Sequence, residues 1–354
     1  MERELSAGVN TAGTSVEPVL SVEGLTTRFR TSAGHVHAVN DVNFALRPGE
    51  LLGVVGESGS GKSVTMMSCL KLLPMPPAEI TDGRVMFGGR DLVSLSEDEL
   101  RGVRGGEIGF IFQDPMTSLN PVFTVGFQLI EPLKLHMGLS GRAARKRAAE
   151  LLALVGIPSP DARLDDYPHQ FSGGMRQRVM IAIALACDPK VLFADEPTTA
   201  LDVTVQAQII ELVKDLREKT GTAIVWVTHD LGVVAGIADR VAVMYGGQIV
   251  EMAEVDKLYD DPRHPYTRAL LETLPSAELS AGRDERLRSI PGQAPNLRKA
   301  LHACPFAPRC EHVHERCLSQ NPPLFDVSPG QQSRCWLEVD EDADVSHQTG
   351  SAAA

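Results

Sequence analysis

Eight consecutive residues limit this chain more than anything else in it. Gly56-Glu57-Ser58-Gly59-Ser60-Gly61-Lys62-Ser63 fits the spacing G-x-x-x-x-G-K-[ST]. It stands between an apolar run, Leu51-Leu52-Gly53-Val54-Val55, and a helical stretch from Lys62 through Leu72. Glycine lets the backbone turn tightly and aim successive N–H groups at one anion. The positive end of the next helix points at the same place. Lys62 is expected to reach the β- and γ-phosphates of a nucleotide, and the Ser63 hydroxyl to ligate Mg2+. Read alone, the octapeptide is a Gly/Ser-rich loop of no consequence; a strand before it and a helix after it favour the phosphate cradle.

The surrounding pattern agrees with that geometry. Val191-Leu192-Phe193-Ala194 and Ala223-Ile224-Val225-Trp226-Val227 read as further buried strands. From Leu20 to about Asp260 short apolar runs alternate with longer helical stretches, which gives an α/β class with a mostly parallel sheet. Gly88-Gly89 and Gly246-Gly247 lie beside strand-like runs and suggest hairpins. Between Gln113 and Ser172 the character changes, and Arg142 to Val155 reads as a helix whose run Arg145-Lys146-Arg147 is its solvated face. The expected divisions are a flexible lead-in at 1–18 and a nucleotide-binding domain at 19–260, with a helical subdomain at about 114–172. A proline- and cysteine-bearing extension follows at 261–337, then a disordered tail at 338–354.

The second strand delivers Asp195-Glu196 to the edge of the sheet where ligands collect in open α/β folds. Asp195 can hold Mg2+ through water, and Glu196 can polarise an attacking water. Adjacent carboxylates there are costly without a nearby cation; the bland alternative is a solvated acidic turn. The net charge of -12 argues against a nucleic-acid surface, which must neutralise phosphates with Lys and Arg. No apolar run reaches the roughly 20 residues that span a bilayer, and the segment after Met1 has no apolar signal character, so the chain is expected in the cytosol.

At Phe171-Ser172-Gly173-Gly174-Met175-Arg176-Gln177-Arg178 the chain resembles the ATP-binding cassette proteins, specifically the ATPase subunits of bacterial oligopeptide/dipeptide importers. The resemblance runs from about Val19 to Trp336. Alone, Ser-Gly-Gly is an ordinary helix cap and a second anion-binding helix start. The commonest family form has Leu and Gln where Phe171 and Met175 stand, so any hydrogen bond from that Gln is missing.

The resemblance implies an ABC-type P-loop ATPase with a RecA-like core, an antiparallel β subdomain and an α-helical subdomain. It implies that Ser172, Gly173 and Gly174 dock on ATP held by the opposite subunit. Gln113 takes the place of a glutamine that contacts Mg2+ and water, and Ala200-Leu201-Asp202 that of a loop crossing the dimer interface. His229 would steady the γ-phosphate, and Phe29 would stack on adenine. The implied partners are a second ATPase subunit, two transmembrane permease subunits and an extracytoplasmic solute-binding protein, at the cytoplasmic face of the bacterial cell membrane. Peptides are the implied cargo, with nickel chelates or glutathione carried by close relatives. The competing readings are an ABC ATPase outside transport and a nucleotide-sensing module without turnover.

Of the six cysteines, Cys69 and Cys187 read as small buried residues. Cys304, Cys310, Cys317 and Cys335 crowd together, which in a reducing compartment suggests a metal centre. The resemblance implies a [4Fe–4S] cluster; zinc, or no metal, remain alternatives. His302, His312 and His314 are expected to face solvent.

Overall fold

The structure, a computed structural model, describes residues 17–114, 118–199, 202–274 and 290–339. Most of the lead-in 1–18, nearly all of the tail 338–354, and Ala200 and Leu201 lie outside the described residues.

β1 (Leu20–Thr31) and β2 (Gly34–Leu46) pair antiparallel, with Leu20 opposite Leu46 and Thr31 opposite Gly34. Buried positions alternate along β1 at Leu20 and Val22, then slip to Leu25 and Thr27 across a register shift. One extra residue there keeps both halves of the strand facing the core. The chain crosses to a second sheet as β3 (Leu51–Val55) and returns as β4 (Ala78–Phe87) and β5 (Arg90–Asp91). The first sheet therefore runs β2-β1-β4-β5. Gly88 and Gly89, both at positive φ, form the expected β4–β5 turn.

The second sheet gathers β6 (Ile108–Ile111), β7 (Val191–Asp195), β8 (Ala223–Thr228), β9 (Arg240–Tyr245) and β10 (Gln248–Glu254) around β3. β9-β3-β8-β7-β6 are parallel, and Gly246-Gly247 turns the chain into antiparallel β10. Every residue of β3, β7 and β8 is buried. Leu51, Leu192, Ile224 and Trp226 enter one core; Leu52, Phe193, Val225 and Val227 enter the other. A parallel sheet covered on both faces demands such continuous apolar runs.

Helix ends differ from the sequence reading. The first helix spans Lys62–Cys69 rather than reaching Leu72, because Lys71 turns left-handed at φ 50 ahead of Pro74. The helix after Ser172 is Gly173–Ala184. In the extension a helix spans Pro265–Leu271. Proline fits the first helical position, and Nδ1 of His264 accepts from the Tyr266 N–H at 3.0 Å. Gly141–Leu154 forms the basic helix; Arg145 pairs with Asp165 at 2.7 Å and Arg147 with Asp188 at 2.9 Å on its wet side. Cys69 is buried, whereas Cys187 is only half-buried and donates to the Pro132 carbonyl.

Past Asp261 the chain returns to the large sheet. β11 (Phe325–Ser328) and β12 (Gln331–Ser333) extend it, with β12 antiparallel to β10. The carboxylate of fully buried Glu251 accepts from the Arg263 and His264 backbone N–H groups at 2.7 and 2.8 Å and from Gln331 at 3.1 Å. The extension is thus built onto the core sheet. Its strands are short and polar, with no periodicity to mark them.

Candidate functional site

Four parallel strands end at one edge, and each hands the next residues to the same space. Val55 of β3 leads to Gly56, Ile111 of β6 to Gln113, Asp195 of β7 to Glu196, and Thr228 of β8 to His229. Register keeps these ends level: Val55 lies opposite Thr228, Asp195 opposite Val227, and Ile111 opposite Ala194.

The loop from Gly56 to Ser63 curls around the Lys62 ammonium, which donates to the Gly56 and Glu57 carbonyls at 2.7 and 3.0 Å. Gly56 and Gly61 have φ of 151 and 103. A Cβ on Gly56 would meet the Met244 carbonyl oxygen at 2.2 Å, and one on Gly61 the Ala38 carbonyl oxygen at 2.5 Å. Ser58 and Gly59 form the exposed tip, while Ser60 and Lys62 are buried. Burial lowers the Lys62 ammonium below the ordinary lysine range, against the pull of Glu196, Asp195 and Glu57.

The Ser63 hydroxyl donates to Asp195 Oδ1 at 2.8 Å. Burial raises the Asp195 carboxyl above its usual range, although the Ser63 bond opposes that. A hydroxyl and a carboxylate side by side form a hard-oxygen pair suited to Mg2+. One oxygen of Glu196, Oε2, collects three groups: the Gln113 side-chain amide at 3.0 Å, the Thr199 hydroxyl at 2.8 Å and His229 Nδ1 at 3.4 Å. Burial pushes Glu196 up, but the Thr199 bond, the His229 contacts and the Lys62 charge together hold it below the usual glutamate range. Its backbone is left-handed at φ 44, pinned by its N–H donating to the Val227 carbonyl at 2.9 Å. Such strain persists only where the surroundings enforce it. Thr199 was not legible as a site residue; its three-residue offset from Glu196 was the available signal.

The remaining sequence-derived residues stand on other elements. Ser172 and Gly173 are exposed at the start of the helix Gly173–Ala184, with the Ser172 hydroxyl accepting from the Met175 N–H at 3.4 Å. Gly174 packs under Val205, whose Cγ1 would lie 2.7 Å from an added Cβ. Asp202 caps the helix Val203–Thr220, accepting from the Val205 N–H at 2.9 Å. Phe29 lies within β1, opposite Val36 and Ala78, half-buried.

Two further contacts to the glycine loop escaped the sequence reading. Both come from the C-terminal extension: the Tyr266 hydroxyl oxygen accepts from the Glu57 N–H at 2.9 Å, and Arg309 forks onto the Glu57 carboxylate at 2.7 and 2.9 Å.

Cys304, Cys310, Cys317 and Cys335 border one small cavity with His264, Phe306 and Trp336. Burial raises the thiols of Cys304 to about 11 and of Cys335 to about 12. Among the described residues no group of three or more His, Cys, Asp or Glu side chains forms a site for a metal ion. The expected four-cysteine metal centre is therefore not supported among the described residues. His302, His312 and His314 are exposed, as expected.

A family model described as ABC transporter matches residues 39–199, and one described as Oligopeptide/dipeptide transporter, C-terminal region, matches residues 250–317. The chain is 55% identical over 322 residues to the oligopeptide transport ATP-binding protein OppD of Bacillus subtilis (strain 168), covering 91% of this chain and 89% of that protein. It is 50% identical over 323 residues to the dipeptide transport ATP-binding protein DppD of the same organism, covering 91% and 96%. A dimeric structure of a post-hydrolysis state of the ATP-binding cassette MJ0796, bound to ADP and Pi, aligns with a TM-score of 0.60 at 32% identity. That alignment covers 67% of this chain and 98% of the other.

Proposed function

This chain belongs to the ATP-binding subunits of ABC transporters, and from that premise we propose that it hydrolyses ATP at the β3-β6-β7-β8 edge to drive uptake of oligopeptides or dipeptides. The observation that carries this reading is the convergence of the glycine loop, Asp195-Glu196, Gln113 and His229 on one edge of one sheet. The names of the two B. subtilis relatives and the match of residues 250–317 support peptide cargo over nickel chelates or glutathione.

In this account Gly56 to Ser63 cradle the phosphates, with loop N–H groups and Lys62 as donors. Phe29 stacks on the base. Ser63 and Asp195, with Gln113, would hold Mg2+. When bound, Mg2+ neutralises phosphate charge during phosphoryl transfer. Glu196 accepts the proton of the attacking water. Gln113, Thr199 and His229 fix the carboxylate oxygen that does so, and a group held in one geometry needs little reorganisation at the moment of reaction. Ser172, Gly173 and Gly174 serve the nucleotide of a second ATPase subunit, and Asp202 lies along that interface. The exposure of Ser172 and Gly173 at a helix start supports this role.

Among the described residues no helix is long and apolar enough to cross a membrane. We place the subunit at the cytoplasmic face, paired with a second and different ATPase, on two permease subunits fed by a solute-binding protein. Val122, Phe123 and Phe127 are exposed in the helical subdomain, with the two rings stacked at 4.6 Å, and supply an apolar surface beside Gln113 in sequence for a permease.

The four thiols around one cavity fit a [4Fe–4S] cluster by donor chemistry. Bound, the cluster would cross-link a segment with little core of its own. Anaerobic purification with iron and sulfide analysis tests this: four-iron stoichiometry supports it, and a colourless, iron-free, folded protein contradicts it.

The overall function is tested in the assembled transporter in vesicles. Peptide should stimulate phosphate release, and Lys62→Ala should abolish that stimulation. Peptide uptake that continues without ATP turnover would contradict the reading.

A further inference from the structure

Arg309 is locked on every side. Its side chain is 4% exposed. Its guanidinium donates to the Pro291 carbonyl at 2.8 Å, the Ile290 carbonyl at 3.2 Å and the Tyr245 hydroxyl at 3.3 Å, and lies over the Tyr245 and Phe306 rings. From this fixed seat it presents a planar fork to both oxygens of Glu57 at 2.7 and 2.9 Å. Fully buried Tyr266 holds the same residue by its backbone, its hydroxyl accepting from the Glu57 N–H at 2.9 Å. The carbonyls of Gly56 and Glu57 are the two acceptors of the Lys62 ammonium. One short stretch of loop is thus gripped from outside by the extension and grips Lys62 on its inner side.

We infer that Arg309 and Tyr266 are positioning residues for the phosphate loop, so that the C-terminal extension sets the affinity for ATP. Neither residue touches the reacting atoms; both act through Glu57. A group placed by a preorganised partner loses less freedom when the ligand arrives, and that difference shows as affinity. A merely structural ion pair predicts something else: lower stability with unchanged nucleotide affinity. Removing one partner of a buried ion pair generally lowers stability, so melting is read separately from nucleotide affinity. Glu57, with its side chain 32% exposed, can turn to water when its partner is removed.

The inference rests on the nucleotide reading above, and the experiment separates the two. In full-length protein, the affinity for a fluorescent ATP analogue and the apo melting temperature are measured for wild type, Lys62→Ala, Arg309→Met, Arg309→Lys and Tyr266→Phe. KM for ATP and kcat are measured in the assembled transporter. Arg309→Met should weaken nucleotide affinity and raise KM by roughly tenfold, the scale of a lost bond to a charged group, and Tyr266→Phe, which removes a neutral bond, by a smaller factor, with kcat within about twofold in both. Arg309→Lys should fall between, since it keeps the charge and loses the fork. Should Arg309→Met melt early, Tyr266→Phe and Arg309→Lys decide. Wild-type affinity and KM in every well-folded Arg309 and Tyr266 variant, alongside a clear loss in Lys62→Ala, would overturn the inference and leave the nucleotide reading standing. Wild-type protein that bound no ATP analogue would overturn both.

Discussion

Glu196 carries the sharpest predictions at the scale of single residues, because one of its oxygens holds three neighbours. Glu196→Gln keeps the shape and removes the charge. ATP binding should persist while phosphate release falls by on the order of a hundredfold or more, the scale of a lost general base. Near-wild-type turnover would take Glu196 out of that role. The pH dependence follows from the same contacts. Glu196 is held below its ordinary value of 4.5, so it is ionised above that pH and protonates only as pH falls further. The acid limb of kcat/KM should therefore lie below about 4.5. Thr199→Ala removes a bond to the charged form, so that limb should move upward; an unmoved limb would contradict the assignment. The placement of Glu196 and His229 at strand ends was legible because each follows an apolar strand directly. The Arg309–Glu57 fork was not, since partners 252 positions apart leave no local trace.

At the scale of elements, strands were read more faithfully than helix ends. Leu51–Val55 is the strand expected, because complete burial in a doubly covered parallel sheet leaves a continuous apolar run. Helix ends depend on single backbone conformations, such as Lys71 at φ 50, which apolar periodicity does not report. Asp202 shows how one residue takes two readings. Family resemblance places it at a dimer interface, and the structure makes it the cap of the helix Val203–Thr220. Asp202→Ala should cost about 1 kcal/mol in thermal or denaturant unfolding, while Asp202→Asn should keep the cap. If Asp202→Asn melts as wild type yet slows ATP hydrolysis in the assembled transporter, the interface role stands beside the cap. Equal melting of all three proteins would remove the cap from the account.

The whole molecule is more continuous than its sequence divisions suggest. The extension adds β12 to β10 and supplies Arg263, His264 and Gln331 to buried Glu251. Truncation after Asp260 should expose the β10 edge and strand that carboxylate. Soluble expression should fall sharply, and a stable, monodisperse truncated protein would contradict this. In the proposed mechanism, turnover depends on how two cassettes meet. The direct measurement is a structure of the assembled transporter carrying Glu196→Gln, trapped with Mg-ATP. Ser172, Gly173 and Gly174 of this chain should lie within hydrogen-bond reach of the γ-phosphate held by the opposing ATPase. A closed, ATP-loaded complex with that helix start remote from the nucleotide would contradict the account.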